Sequence, residues 1–113
     1  MEKTNWYDLS LPLTTATASS WTATGTGVLV QVTSESLTTA AAWEYTLTLT
    51  NKNVKATSII FASAWLGSST QWTPWIGWVT VSDNTAVVTV TNLHASQAFN
   101  WTILVNVLVV NPK

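Results

Sequence analysis

Cysteine and arginine are absent from the 113 residues, and histidine occurs once. Without thiols there is no disulfide and no thiolate metal site, and the redox compartment leaves no mark on the sequence. The lone imidazole, His94, has no second histidine or cysteine with which to share a metal. Charge is scarce in both signs. Charged residues make up 8% of the chain, against about 25% in an ordinary soluble domain. The cations are Lys3, Lys52, Lys55 and Lys113, and the net charge is −1. Phosphate recognition needs a basic stripe whose neutralisation releases counterions, so nucleic acid is excluded as a partner. A long apolar run is missing too. The longest, Ile103 to Val110, is interrupted by Asn106 and is far too short to span a bilayer. Met1 to Ser20 lacks the continuous apolar segment of a signal peptide. The expectation is a cytoplasmically made protein with no membrane contact, no metal and no cofactor.

The inventory for catalysis is equally thin. The carboxylates are Glu2, Asp8, Glu35, Glu44 and Asp83. A glycosidase needs two carboxyl groups flanking one bond; Glu35 with Glu44 is the only plausible pair, and Glu44 falls on the wet face of its strand, where a glutamate is ordinarily a solvated charge. His94 stands beside no recognisable nucleophile motif. Gly25-Thr26-Gly27 lacks the rest of any phosphate loop and reads as a turn. No catalytic residue is assigned, and the chain is expected not to be an enzyme.

What the sequence does have is threonine, valine and tryptophan, which suit a pleated, half-buried surface. Helical periodicity is absent and alternation is frequent. Gly27 to Thr33 puts Val28, Val30 and Val32 on one face. Trp43 to Thr50 separates Trp43, Tyr45, Leu47 and Leu49 from Glu44, Thr46, Thr48 and Thr50, the pattern of an antiparallel strand with one wet face. Thr57 to Trp65 sets Ile59, Phe61 and Trp65 against Ile60, Ala62 and Ala64. Ile76 to Ser82 and Thr85 to Thr91 follow, joined by a turn at Asp83-Asn84. Phe99 to Val110 is the last strand, and both of its faces are apolar. A short strand near Trp21 completes the set. The fold expected is all-β, a single antiparallel β-sandwich of jelly-roll type over residues 26–113, preceded by an extended N-terminal arm over 1–25. Tyr45-Thr-Leu-Thr-Leu-Thr-Asn51 echoes Ala86-Val-Val-Thr-Val-Thr-Asn92, as strands of like composition do.

Low charge leaves little repulsion between copies and favours association. Three surfaces are candidates for it. The arm carries the apolar anchors Trp6, Tyr7, Leu9, Leu11 and Leu13. The last strand offers Leu104, Leu108 and Val110 on its second apolar face. Between Trp65 and Trp78 lie four of the 8 tryptophans, in a segment that reads as a loop. There Trp72 and Trp75 serve as protein anchors, as a lid over the core, or as stacking surfaces for carbohydrate. The polar neighbours Ser68, Ser69, Thr70, Gln71 and Thr73 are sparse for a sugar site.

From Tyr45 onward the chain resembles a module of tailed-bacteriophage virion proteins. The residues concerned are Thr-Leu-Thr-Leu-Thr-Asn51, Val54-Lys-Ala-Thr-Ser-Ile-Ile60, Val-Val-Thr-Val-Thr-Asn92 and Phe99 to Val110. The resemblance implies a β-sandwich that assembles, commonly as a trimer, on a virion. A chain starting at Met1 without heptads or fibre repeats fits a capsid decoration (cement) protein on the major capsid protein. The alternative is a tail-fibre, receptor-binding or carbohydrate-binding sandwich. The expected location is the capsid surface, after synthesis in the host cytoplasm. Many weak contacts would add through effective concentration.

Overall fold

The computed structural model describes residues 11–37, 44–67, 74–92 and 102–112. The strands are β1 (Leu13–Thr17), β2 (Thr22–Thr24), β3 (Leu29–Thr33), β4 (Glu44–Thr50), β5 (Ile59–Leu66), β6 (Pro74–Ser82), β7 (Thr85–Asn92) and β8 (Ile103–Val110). They form two four-stranded sheets, ordered β1-β3-β8-β5 (sheet A) and β2-β4-β7-β6 (sheet B). The architecture is the expected all-β sandwich. Within one sheet, only β6 and β7 are consecutive neighbours. Elsewhere the chain hops from one sheet to the other at each step.

That hopping explains the departure from a purely antiparallel fold. Parallel neighbours need a crossover connection, and here a chain that passes through one strand of the other sheet and returns comes back in its original direction. β1 and β3 are accordingly parallel, with Leu13 opposite Leu29, and β2 and β4 are parallel, with Ala23 opposite Leu49. The other pairings are antiparallel.

The core lies between the sheets. Sheet A contributes Val30, Val32, Ile103, Val105 and Val107, and sheet B contributes Tyr45, Leu47, Leu49, Val88 and Val90, all buried. Burial of each such side chain stabilises by about 1.5–3 kcal/mol. The two echoing segments are antiparallel neighbours, β4 against β7, with Tyr45 opposite Val90 and Leu49 opposite Ala86. They look alike because both bury one face and turn threonines outward.

The expected arm is corrected in part. Residues 13–17 and 22–24 are edge strands of the sandwich. β2 is the short strand expected near Trp21, whereas β1 is hard to see because its inward apolar side chain, Ala16, is small. Residues 1–10 lie outside the described residues. β1 and β2 are joined by Ser19-Ser20-Trp21-Thr22, where Ser19 and Thr22 pair and Ser20 and Trp21 have φ of 51 and 66. Two successive positive φ values make a type I′ turn, which normally prefers Asn-Gly.

One end of the sandwich is tied by amides. Asn51 is buried and donates through Nδ2 to the Gly27 carbonyl at 2.9 Å, while its Oδ1 accepts from the Asn53 amide at 3.0 Å. Asn111 donates to the Asn53 carbonyl at 2.8 Å and accepts from the Ser58 hydroxyl. Gly27 takes φ of 77 here, a conformation that glycine adopts without Cβ strain. The opposite end is where β3, β5 and β7 finish and β4, β6 and β8 begin.

Candidate functional site

The two sheets present different outer faces, and the strand register defines both. On sheet A, Leu13, Leu29, Leu108 and Phe61 stand in one row across all four strands. The next row is polar: Thr15, Gln31, Asn106 and Ser63. Gln31 Nε2 donates to Asn106 Oδ1 at 3.0 Å, and Asn106 Nδ2 donates to Ser63 Oγ at 3.2 Å. A third row holds Thr17, Thr33, Leu104 and Trp65. Beyond Leu108, Val110 faces Ile59. Between the apolar and polar rows lies a shallow depression of about 220 Å³, bounded by Leu29, Phe61, Ser63, Asn106 and Leu108.

The orientation of β5 is the least expected feature. Ile60, Ala62 and Ala64 face the core, while Ile59, Phe61 and Trp65 face out. Phe61 is 59% exposed and Trp65 62%. A one-residue shift of register would reverse this and bury the large side chains. The observed register instead aligns Phe61 with Leu108 and completes the apolar row.

On sheet B the outer rows are threonine. Thr24, Thr50, Thr85 and Ser82 form one, and Thr22, Thr48, Val87 and Thr80 the next. Thr46 and Thr89 lead to Trp78, and Glu44 and Thr91 lead to Trp75. Trp75 and Trp78 are three positions apart and would ordinarily face opposite ways. A bulge between Ile76 and Trp78 places both outside, 60% and 53% exposed. Gly77 is the extra residue, and a Cβ there would lie 3.0 Å from Thr91 Oγ1. Bulges that re-aim a side chain recur beside functional sites. Trp75 therefore belongs to a strand and not to the expected loop, and Trp78 lies in the strand expected from Ile76 to Ser82, which starts earlier, at Pro74. Pro74, which cannot donate to a ladder, fits as the first residue of an edge strand.

Among the sequence candidates, Leu13, Leu104, Leu108 and Val110 converge on sheet A's outer face. Trp75 lies on sheet B. Leu11 is exposed just ahead of β1. Trp6, Tyr7, Leu9 and Trp72 lie outside the described residues, as does His94. Leu29, Ile59, Phe61, Trp65 and Trp78 join the surfaces only once the register is known.

Glu35 and Glu44 do not form a pair. Glu44 is exposed on sheet B's outer face. Glu35 accepts from the Trp21 amide at 2.6 Å and from the buried Tyr45 hydroxyl at 2.5 Å. Partial burial pushes the Glu35 pKa up, but the bonds from Tyr45 and the Trp21 amide outweigh it, and the net result lies below the ordinary 4.5. Burial and the adjacent Glu35 carboxylate push the Tyr45 phenol well above its ordinary value. This carboxylate holds the strained turn and leaves the Trp21 side chain 64% exposed. Nothing in the sequence pattern signalled that role.

Among the described residues, no group of three or more histidine, cysteine, aspartate or glutamate side chains could hold a metal ion. Comparison of the chain with protein-family models, with curated proteins and with solved structures finds no match.

Proposed function

We propose that this chain is a non-enzymatic structural protein that associates with further copies of itself through the outer face of sheet A. In the setting suggested by the resemblance it is a capsid decoration protein of a tailed phage, a trimer seated on the major capsid protein. The observation that supports association is the orientation of β5, with phenylalanine and tryptophan outside and alanines inside. A row with Leu13 and Phe61 exposed and Leu29 and Leu108 half-buried between them stands in water at a cost in apolar hydration that a partner would remove.

The area is in keeping with this reading. With strands about 4.8 Å apart and ~3.3 Å per residue, the face covers roughly 400 Å². A standard interface takes about 800 Å² per partner. The face thus supplies the centre of a contact, with Trp65, Leu66 and Leu11 exposed around it. The polar row of Gln31, Asn106 and Ser63 is already internally hydrogen-bonded, so covering it leaves fewer groups unpaired.

Static light scattering at micromolar concentration tests the proposal. The expected mass is a multiple of the 12.3 kDa chain, with three copies favoured. A monomer throughout that range contradicts it.

A further inference from the structure

We infer that Trp75 and Trp78 on sheet B, with the groove beside them, form a binding site for a neutral glycan chain. The indoles lie on the sheet opposite the proposed association surface, and the groove beside them borders that surface at Ser63 of β5.

Three observations carry the inference. The Gly77 bulge turns both indoles to the same side of β6, where they flank successive rows of the sheet, at Thr91 and Thr89. An indole face is electron-rich and polarises toward the C–H groups of an apolar-faced ring, and a pyranose presents such a face. Second, the surrounding surface offers hydroxyls, from Thr46, Thr48, Thr80 and Thr91. Each is both donor and acceptor, which matches a polyhydroxyl ligand. Third, Trp75 continues into a groove of about 360 Å³ between β5 and β6, lined by Ala62, Ser63, Ala64, Pro74 and Ile76. That volume is at the small end of ligand sites. No described strand pairs with the outer edge of β5 or β6, so backbone donors and acceptors border the groove.

The chemistry of the surface selects this occupant over others. Nucleic-acid bases also stack on tryptophan, but single-strand binding needs a cationic track for the backbone. The described cations, Lys52 and Lys55, lie beyond the far end of β4, roughly 20 Å from the row of Trp75 at strand spacing. A protein partner fits this surface less well, because the centre of such a contact is apolar over a broad patch, and among the described outer residues of sheet B the two indoles are flanked by threonines, with Val87 alone aliphatic. Among the described residues, Glu44 is the single charge near the indoles, which disfavours an anionic polysaccharide.

The test is affinity electrophoresis of the intact protein through gels containing xylan, β-1,3-glucan, hydroxyethyl cellulose or mannan, with heparin as the anionic control. The expected result is retardation by at least one neutral polymer, unchanged by salt. Trp75→Ala and Trp78→Ala should each weaken it by about tenfold or more, as truncation of a central aromatic does, while Trp21→Ala leaves it intact. Light scattering on the same samples separates the two readings: the Trp75 and Trp78 variants should keep the wild-type mass. No retardation by any neutral polymer overturns the inference. Equal retardation of wild type and both indole variants overturns it as well, because the binding would lie elsewhere.

Discussion

The two outer faces of this sandwich share a backbone plan and differ in what they offer water. Sheet A carries leucine, isoleucine, valine, phenylalanine and one tryptophan around a single hydrogen-bonded polar row. Sheet B carries threonine in most of its outward positions, with two indoles at one edge. Both faces are half of an amphipathic sheet by periodicity, yet only sheet B has the polar outer face that an antiparallel sheet turns to solvent. The lesson is that alternation identifies two faces without saying which of them is finished by the chain itself. Sheet B is compatible with exposure, whereas sheet A is left with apolar surface that the proposed association would cover.

The most forceful way to break this comparison is to place the same charge at the centre of each face. Leu108→Lys buries an unpaired ammonium in the proposed contact and should weaken self-association by about a hundredfold or more. Thr48→Lys, at the matching place on sheet B, should leave the mass unchanged. Light scattering over a dilution series reads both. If the two variants behave alike, the faces are equivalent and the account of sheet A fails.

A smaller effect belongs to the carboxylate that holds β2 to its sheet. Tyr45→Phe removes a hydrogen bond to a charged acceptor, a loss of about 1.5–3 kcal/mol, measurable by urea denaturation. The pH dependence follows from the direction of the shift. Because the folded-state pKa of Glu35 lies below 4.5, its contribution is complete above the unfolded value and is lost as pH falls through the folded one. Acid titration of stability should therefore show a decline below about pH 4.5 that is shallower in Tyr45→Phe. An identical decline in both proteins would remove Tyr45 from the account.

The smallest expected change is a gain. Trp21 occupies a left-handed position that costs a bulky L-residue about 1–2 kcal/mol. Replacing Ser20-Trp21 by Asn-Gly, the pair that type I′ turns favour, should raise stability by about 1 kcal/mol and leave association through sheet A unchanged. Destabilisation instead would mean that the indole contributes packing at the turn.

Much of the sandwich was legible in the sequence, and the gaps have physical causes. β4 announced itself because Tyr45, Leu47 and Leu49 alternate with threonines. β5 showed two faces, but Ile59-Phe61-Trp65 and Ile60-Ala62-Ala64 are both apolar, and only the space available between the sheets selects the alanines for the interior. β6 was shortened because a single bulge residue, Gly77, breaks the period of two just where Trp75 and Trp78 stand. β1 is hidden in the expected arm because an edge strand that buries little beyond Ala16 carries almost no hydrophobic signal, whereas β2 is the short strand expected near Trp21. Glu35 could not be placed at all, since its partners, the Trp21 amide and the Tyr45 hydroxyl, are brought to it by tertiary packing.

The contrast between the faces can be measured on the unmodified protein by hydroxyl-radical footprinting with mass spectrometry. Phe61 and Trp65 have nearly the same exposure within one copy as Trp75 and Trp78. At micromolar concentration the account predicts that Phe61 and Trp65 are protected relative to the sheet B indoles, and that dilution restores their labelling. Equal labelling of all four side chains at every concentration would contradict the claim that sheet A's outer face is covered.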